Sequence, residues 1–138
     1  MATCDLFIIL IGQPSRACWA LAEECGLIAQ KKVALKLVNF VAGEHREPWF
    51  LEINANGSIP ALRDNEHAFG MGESVAIMKY LVQRFNLAEH WYPSDLFLRT
   101  RIDDVTLSLE DTQTSLRTLV SEAASAIDRR APRVRPPR

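Results

Sequence analysis

At 138 residues the chain is long enough for one domain with a core of ordinary size. A hydrophobic fraction of 48% and a charged fraction of 24% fit a soluble globular protein, and a formal net charge of -1 gives no electrostatic case for binding nucleic acid or a membrane surface. Cys4, Cys18 and Cys25 are odd in number and form no Cys-x-x-Cys, which excludes a disulfide or zinc framework and fits a reducing cytosol.

Residues 6–11, Leu-Phe-Ile-Ile-Leu-Ile, read as a strand buried on both faces, and the run is far too short to span a bilayer. The flank Met1-Ala2-Thr3-Cys4-Asp5 has no basic region, so a secretory signal is not expected. Gly12 ends the strand, and Pro14 suits the first turn of a helix, where its missing N–H costs nothing. Ala17, Trp19, Ala20, Leu21 and Ala22 predict a helical face over 16–25, with Gly26 as the C′ cap. Cys18 and Cys25 share one face of that helix and are expected to be buried, inert thiols.

A second strand follows over 33–38, then an irregular stretch with Gly43, His45 and Pro48. Trp49, Phe50, Leu51 and Ile53 predict a short helix, with Trp19 and Trp49 in the core. Short strands at 61–63 and 68–69 flank an Asp64-Asn65 turn. The clearest helix is 74–85, with Val75, Ile77, Met78, Leu81 and Val82 inward. The order β-α-β-α-β-β-α predicts an α/β domain over 1–85, closed by a mixed four-stranded sheet. A linker over 86–94 carries His90-Trp91-Tyr92-Pro93, whose Trp91 and Tyr92 are expected to pack onto that domain. An amphipathic helical segment over 95–125 starts an all-α part, and the Arg/Pro-rich 126–138 is expected to be disordered.

Two segments carry the chemistry: Asn54-Ala55-Asn56-Gly57-Ser58-Ile59-Pro60-Ala61-Leu62 and Gly72-Glu73-Ser74-Val75-Ala76-Ile77. A proline leading a short strand marks an edge or a turn, commonly with a cis bond. Glu73 and Ser74 stand where a helix starts, and the free N–H groups there attract an anion. One backbone edge and one helix N-terminus together suit an extended, doubly charged peptide. Ser74 also reads as a plain helix cap. His45 reads equally as a solvated loop histidine, and His67 and His90 lack metal-site spacing.

With Gln13-Pro14-Ser15-Arg16-Ala17 after the first strand, these segments resemble the thioredoxin-like N-terminal half of a theta-class glutathione S-transferase. The resemblance runs from about Leu6 to Ile102 and includes Trp91-Tyr92-Pro93-Ser94-Asp95-Leu96, similar to the family's interdomain junction. The Gln-Pro-Ser-Arg-Ala opening is most similar to plant and algal members. The resemblance implies a cytoplasmic detoxification enzyme that joins glutathione, as co-substrate and without a cofactor or metal, to electrophilic and mostly apolar substrates. It implies that Ile59, before Pro60, pairs with the cysteinyl backbone of glutathione. Glu73 then faces the γ-glutamyl amino group and Ser74 its carboxylate. His45 and Arg46 lie near the glycyl carboxylate, and Ser58 takes a place usually held by lysine. Family members also pair as homodimers.

The sequence departs from the family in two ways. The family's catalytic serine falls on Gly12. A hydrogen bond to a charged group is worth roughly 1.5–3 kcal/mol, so its loss raises the bound thiol's pKa by about one to two. Ser15, at the helix start, is the remaining hydroxyl candidate. Family members also continue through several more helices that build the electrophile pocket, while the resemblance here stops near Ile102. Both departures favour, as the alternative, a non-catalytic glutathione- or protein-binding module of the same fold. A thioredoxin-like oxidoreductase would need a cysteine at the turn held by Gly12, Gln13 and Ser15.

Overall fold

In the computed structural model, which describes residues 2–108, four strands form one mixed sheet in the order β2-β1-β3-β4. The elements are β1 (Cys4–Ile8), α1 (Gln13–Glu24), β2 (Val33–Leu37), a 3-10 turn (Glu44–Arg46), α2 (Pro48–Leu51), β3 (Ala61–Asp64), β4 (Phe69–Met71) and α3 (Ser74–Arg84). β1 runs parallel to β2, and β3 is antiparallel to both β1 and β4. This is the expected thioredoxin-like βαβαββα arrangement.

Alternation along β1 sorts the core onto the two faces of the sheet. Cys4, Leu6 and Ile8 pack with Cys18 and Ala22 of α1 and Ile77 and Leu81 of α3. Phe7 points the other way, into a smaller cluster with Val38, Phe50, Ile53 and Ala61 beneath α2. The apolar run continues past the strand, however. Leu10 and Ile11 are exposed, because β1 ends at Ile8 opposite Leu37, and Gly12 N–H then turns back to the Ile9 carbonyl.

α1 starts at Gln13 with Pro14 in its first turn and stops at Gly26, whose φ of +67° needs no Cβ. Its buried side is Ser15, Cys18, Leu21 and Ala22, so the expected inward Ala17 and Ala20 face outward. Cys25 lies beyond the helix and is half-buried. In α3, Ile77, Leu81 and Val82 are buried, while Val75 and Met78 are only half-buried. Trp49 is also more exposed than expected: α2 is 4 residues long, Phe50 takes its one inward place, and the indole lies over Phe7 and Phe50.

The chain divides into two units, Met1–Tyr92 and Pro93–Arg138. Within the first, Lys79 of α3 lies over the Tyr92 ring. In the second, residues 96–108 are helical, and Asp95 Oδ1 caps them by accepting the Leu98 N–H at 2.9 Å. The remainder of the expected helical segment and the whole Arg/Pro tail lie outside the described residues. Among the described residues no helix is long and apolar enough to cross a membrane.

Candidate functional site

The structure sets the loop from Asn54 to Pro60 against the turn that carries His45 on one side and against Gly72, the residue before Glu73, on the other. The Ile59-Pro60 bond is cis, and Pro60 is buried at the entry to β3. Asn54 is buried and organises the loop. Its Nδ2 donates to the Ser58 carbonyl at 2.8 Å and to Ser58 Oγ at 2.9 Å, and its Oδ1 accepts the Asn56 N–H at 3.2 Å. Gly57, at φ +63°, passes the His45 carbonyl so closely that a Cβ would come within 3.0 Å of it.

His45 sits on the 3-10 turn, which Asn39 and Glu44 tie down: the Asn39 N–H donates to Glu44 Oε2 at 2.7 Å. The imidazole is buried and stacked on Phe40, with centroids 4.4 Å apart, so it is not the solvated loop histidine of the alternative reading. Arg46 Nε donates to His45 Nε2 at 3.3 Å, which leaves the ring proton on Nδ1. Nδ1 is buried and has no hydrogen-bond partner in the protein. A buried donor without an acceptor is costly, and a ligand carboxylate would satisfy it.

Glu73 precedes α3 at φ +63°, an uncommon conformation for a residue with a side chain. The first intrahelical bond runs from the Ile77 N–H to the Glu73 carbonyl, so the N–H groups of Ser74, Val75 and Ala76 have no helical acceptor, and no side chain caps them. Glu73 itself is exposed. The helix start therefore presents a positive dipole end beside a free carboxylate, a pairing suited to an α-amino acid head group.

α3 is anchored by Asp64, a fully buried residue that reads in the sequence as part of an ordinary turn. Its Oδ2 accepts from Tyr80 Oη at 2.6 Å and Arg84 Nε at 2.8 Å, and its Oδ1 from the N–H groups of Glu66 and His67. Arg84 also pairs with Glu66. Burial alone would raise the Asp64 pKa, but the bonds from Tyr80, Arg84, His67 and Glu66 outweigh it and hold the carboxyl well below the usual range. Burial and the Asp64 bond push Tyr80 up to about 12. The readable signal was Tyr80 and Arg84 four residues apart on one helix, facing the Asp at the end of β3.

Ser15 is fully buried, and its Oγ accepts the Ile9 N–H at 3.3 Å, across the turn that leads into α1. Gly12 is the N-cap of α1, without a side-chain cap. One turn further along, Cys18 Sγ donates to the Ser74 carbonyl at 3.4 Å, joining α1 to the start of α3. Burial pushes the Cys18 thiol up to about 12. Among the described residues no group of three or more His, Cys, Asp or Glu is placed to hold a metal.

This arrangement has known counterparts. The family model described as "Glutathione S-transferase, N-terminal domain" matches residues 14–84, just over half of the chain. Human glutathione S-transferase theta-2 is 39% identical over 100 residues, covering 72% of this chain and 38% of that protein. Human theta-1 is 33% identical over the same length, with 39% of its chain covered. The chain thus spans about two fifths of these relatives. Among solved structures, a human theta-class transferase in complex with the glutathione conjugate of 1-menaphthyl sulfate aligns with a TM-score of 0.69 at 37% identity, over 80% of this chain and 43% of that one. Human theta-2 in complex with glutathione aligns with a TM-score of 0.68 at 37% identity, over 78% and 42%. Through its N-terminal domain, and with theta-class relatives, this chain belongs to the glutathione S-transferase family.

Proposed function

We propose that this protein binds glutathione and serves a transferase reaction that joins the glutathione sulfur to an electrophilic, mostly apolar acceptor in a reducing compartment, the cytoplasm. The observation that carries this reading is a pair of anion-seeking donors: the uncapped start of α3 and His45 Nδ1, buried without a partner in the protein. Glutathione is a tripeptide with a carboxylate at each end. Its γ-glutamyl carboxylate suits the N–H groups at Ser74, its ammonium suits Glu73, and its glycyl carboxylate suits His45 with Arg46 nearby. Between them, the Ile59 backbone takes the cysteinyl unit, and Ser58, whose oxygen is held by Asn54, shapes the loop.

In the reaction the thiol proton leaves to water, the thiolate attacks the electrophilic carbon, a C–S bond forms, and the leaving group departs with its electron pair. Positioning and thiolate stabilisation are the protein's work. The N-terminus of α1 supplies that stabilisation. Ser15, engaged with Ile9, braces the turn that presents it. Detoxification and glutathione metabolism are the roles that follow, and pairing into a homodimer belongs to the same reading.

Titration calorimetry with glutathione tests the placement. Ser74→Ala is expected to weaken binding about tenfold, in line with a lost bond to a charged group at roughly 1.5–3 kcal/mol. Equal affinity would overturn it. A module that holds glutathione without turnover is the second reading, favoured by Gly12, which offers the sulfur no hydroxyl. Turnover of an activated aryl halide separates the two.

A further inference from the structure

We infer that Asn54 is a positioning residue whose side chain acts as a spacer, setting the distance between the Ile59 edge and the start of α3. Three observations meet at this amide. It is buried, and each of its polar atoms is engaged with the loop that leads to Ile59, through the bonds to Ser58 and Asn56. Its outer side abuts Gly72, the residue before Glu73: a Cβ at position 72 would stand 2.5 Å from Asn54 Nδ2 and 2.9 Å from Oδ1. The residue before it, Ile53, is approached just as closely by Gly70 of β4, where a Cβ would overlap the Ile53 carbonyl.

β4 and the segment after it therefore lie directly on residues 53–54, a fit that only glycine at 70 and 72 permits. The amide of Asn54 is a rigid plug between two backbones that carry different ends of the ligand site. Held by three hydrogen bonds, it has no freedom to swing aside and relieve a mismatch. The loop's far side, at Gly57, rests on the carbonyl of His45, so the same plug also registers the third arm. The functional consequence rests on the glutathione reading above; the geometric claim does not.

The test uses the full chain with Asn54→Asp, Asn54→Ala, Gly72→Ala and the double variant Asn54→Ala/Gly72→Ala. In the ligand-free protein, Asn54→Asp turns the donor to Ser58 into an acceptor, and Gly72→Ala pushes the amide from the other side. Each should move the backbone amide resonances of both Ile59 and Ser74, while those of Val33 and Leu35 on the remote β2 stay in place. Movement at Ile59 alone under Asn54→Asp would make Asn54 a local turn staple and overturn the spacer. For glutathione affinity by calorimetry, each single variant should lose about five- to tenfold. The double variant, which makes room for the new methyl, should bind at least as well as Gly72→Ala. Additive losses would overturn the coupling. If the unaltered protein binds no glutathione, the proposed function fails while the resonance criterion still judges the spacer.

Discussion

The starts of α1 and α3 are built in different ways. α1 begins at Gly12 with an unstrained φ of -79°, and its brace lies inside the turn, where Ser15 holds the Ile9 N–H. α3 begins at Glu73 with φ +63° and is held from its far end, where Tyr80 and Arg84 reach Asp64. One start is braced by neighbours in sequence, and the other belongs to a helix held by a buried charge at the end of a strand. A locally built terminus tolerates change around it, whereas a remotely anchored one inherits every weakness of its anchor.

Breaking the anchor is the strongest way to test that contrast. Asp64→Asn removes a buried carboxylate that four groups address, and leaves Arg84 facing a neutral amide. Urea unfolding at pH 7 should show a loss of about 3 kcal/mol. The sign with pH follows from the depressed carboxyl: its contribution is present above the ordinary value of 3.8 and is lost as pH falls below that, toward the folded value. The gap between the two proteins should therefore close as pH drops below about 3.8. A constant gap would mean that packing, not charge, is what Asp64 supplies.

At the other terminus, Gly12→Ser introduces a hydroxyl where the family carries one. The new Cβ stands 3.0 Å from Ile9 Cγ1 and 3.4 Å from Ser15 Oγ, so Ile9 has to give by a few tenths of an ångström. Ultraviolet titration of the bound thiolate should show the thiol pKa lowered by about one to two. Coincident titrations would mean either that Ser15 already fills the role or that the thiol does not sit at the start of α1, and Ser15→Ala separates the two, because only the first case leaves it something to lose.

The link between the two termini should have the smallest effect. Cys18→Ala removes the bond to the Ser74 carbonyl and a little packing, for a loss of about 1 kcal/mol in urea. In the native protein Cys18, with its thiol pushed up to about 12 and fully buried, should resist alkylation, while the half-buried Cys25 reacts first. Fast labelling of Cys18 would mean that α1 and α3 part readily.

How much could be read in the sequence follows the same division. Pro14 and Gly26 bracket α1, and Ser58-Ile59-Pro60 with Glu73-Ser74 marks the cis-proline entry to β3 and the start of α3, because each signal lies within a few residues of the feature it specifies. Asp64 reads as a turn residue, since the partners that redefine it lie 16 and 20 positions further on. Leu10 and Ile11 read as strand because hydrophobicity does not reveal where the neighbouring strand stops. Asn54 stands within the segment that leads to the cis proline, yet its role depends on a glycine that only the packing after β4 brings against it.

That glycine packing has a consequence for how these molecules behave in a crowd. β4 closes one side of the sheet order β2-β1-β3-β4, and an open strand edge is a template on which a stray chain can add itself. Here the template is 3 residues long, with Gly70 at its centre seated on the Ile53 backbone. An intruding strand finds only a short ladder and no side chain to pair with at its middle rung. The close approach that seats β4 on residues 53–54 also leaves a short edge that offers an added strand little to hold.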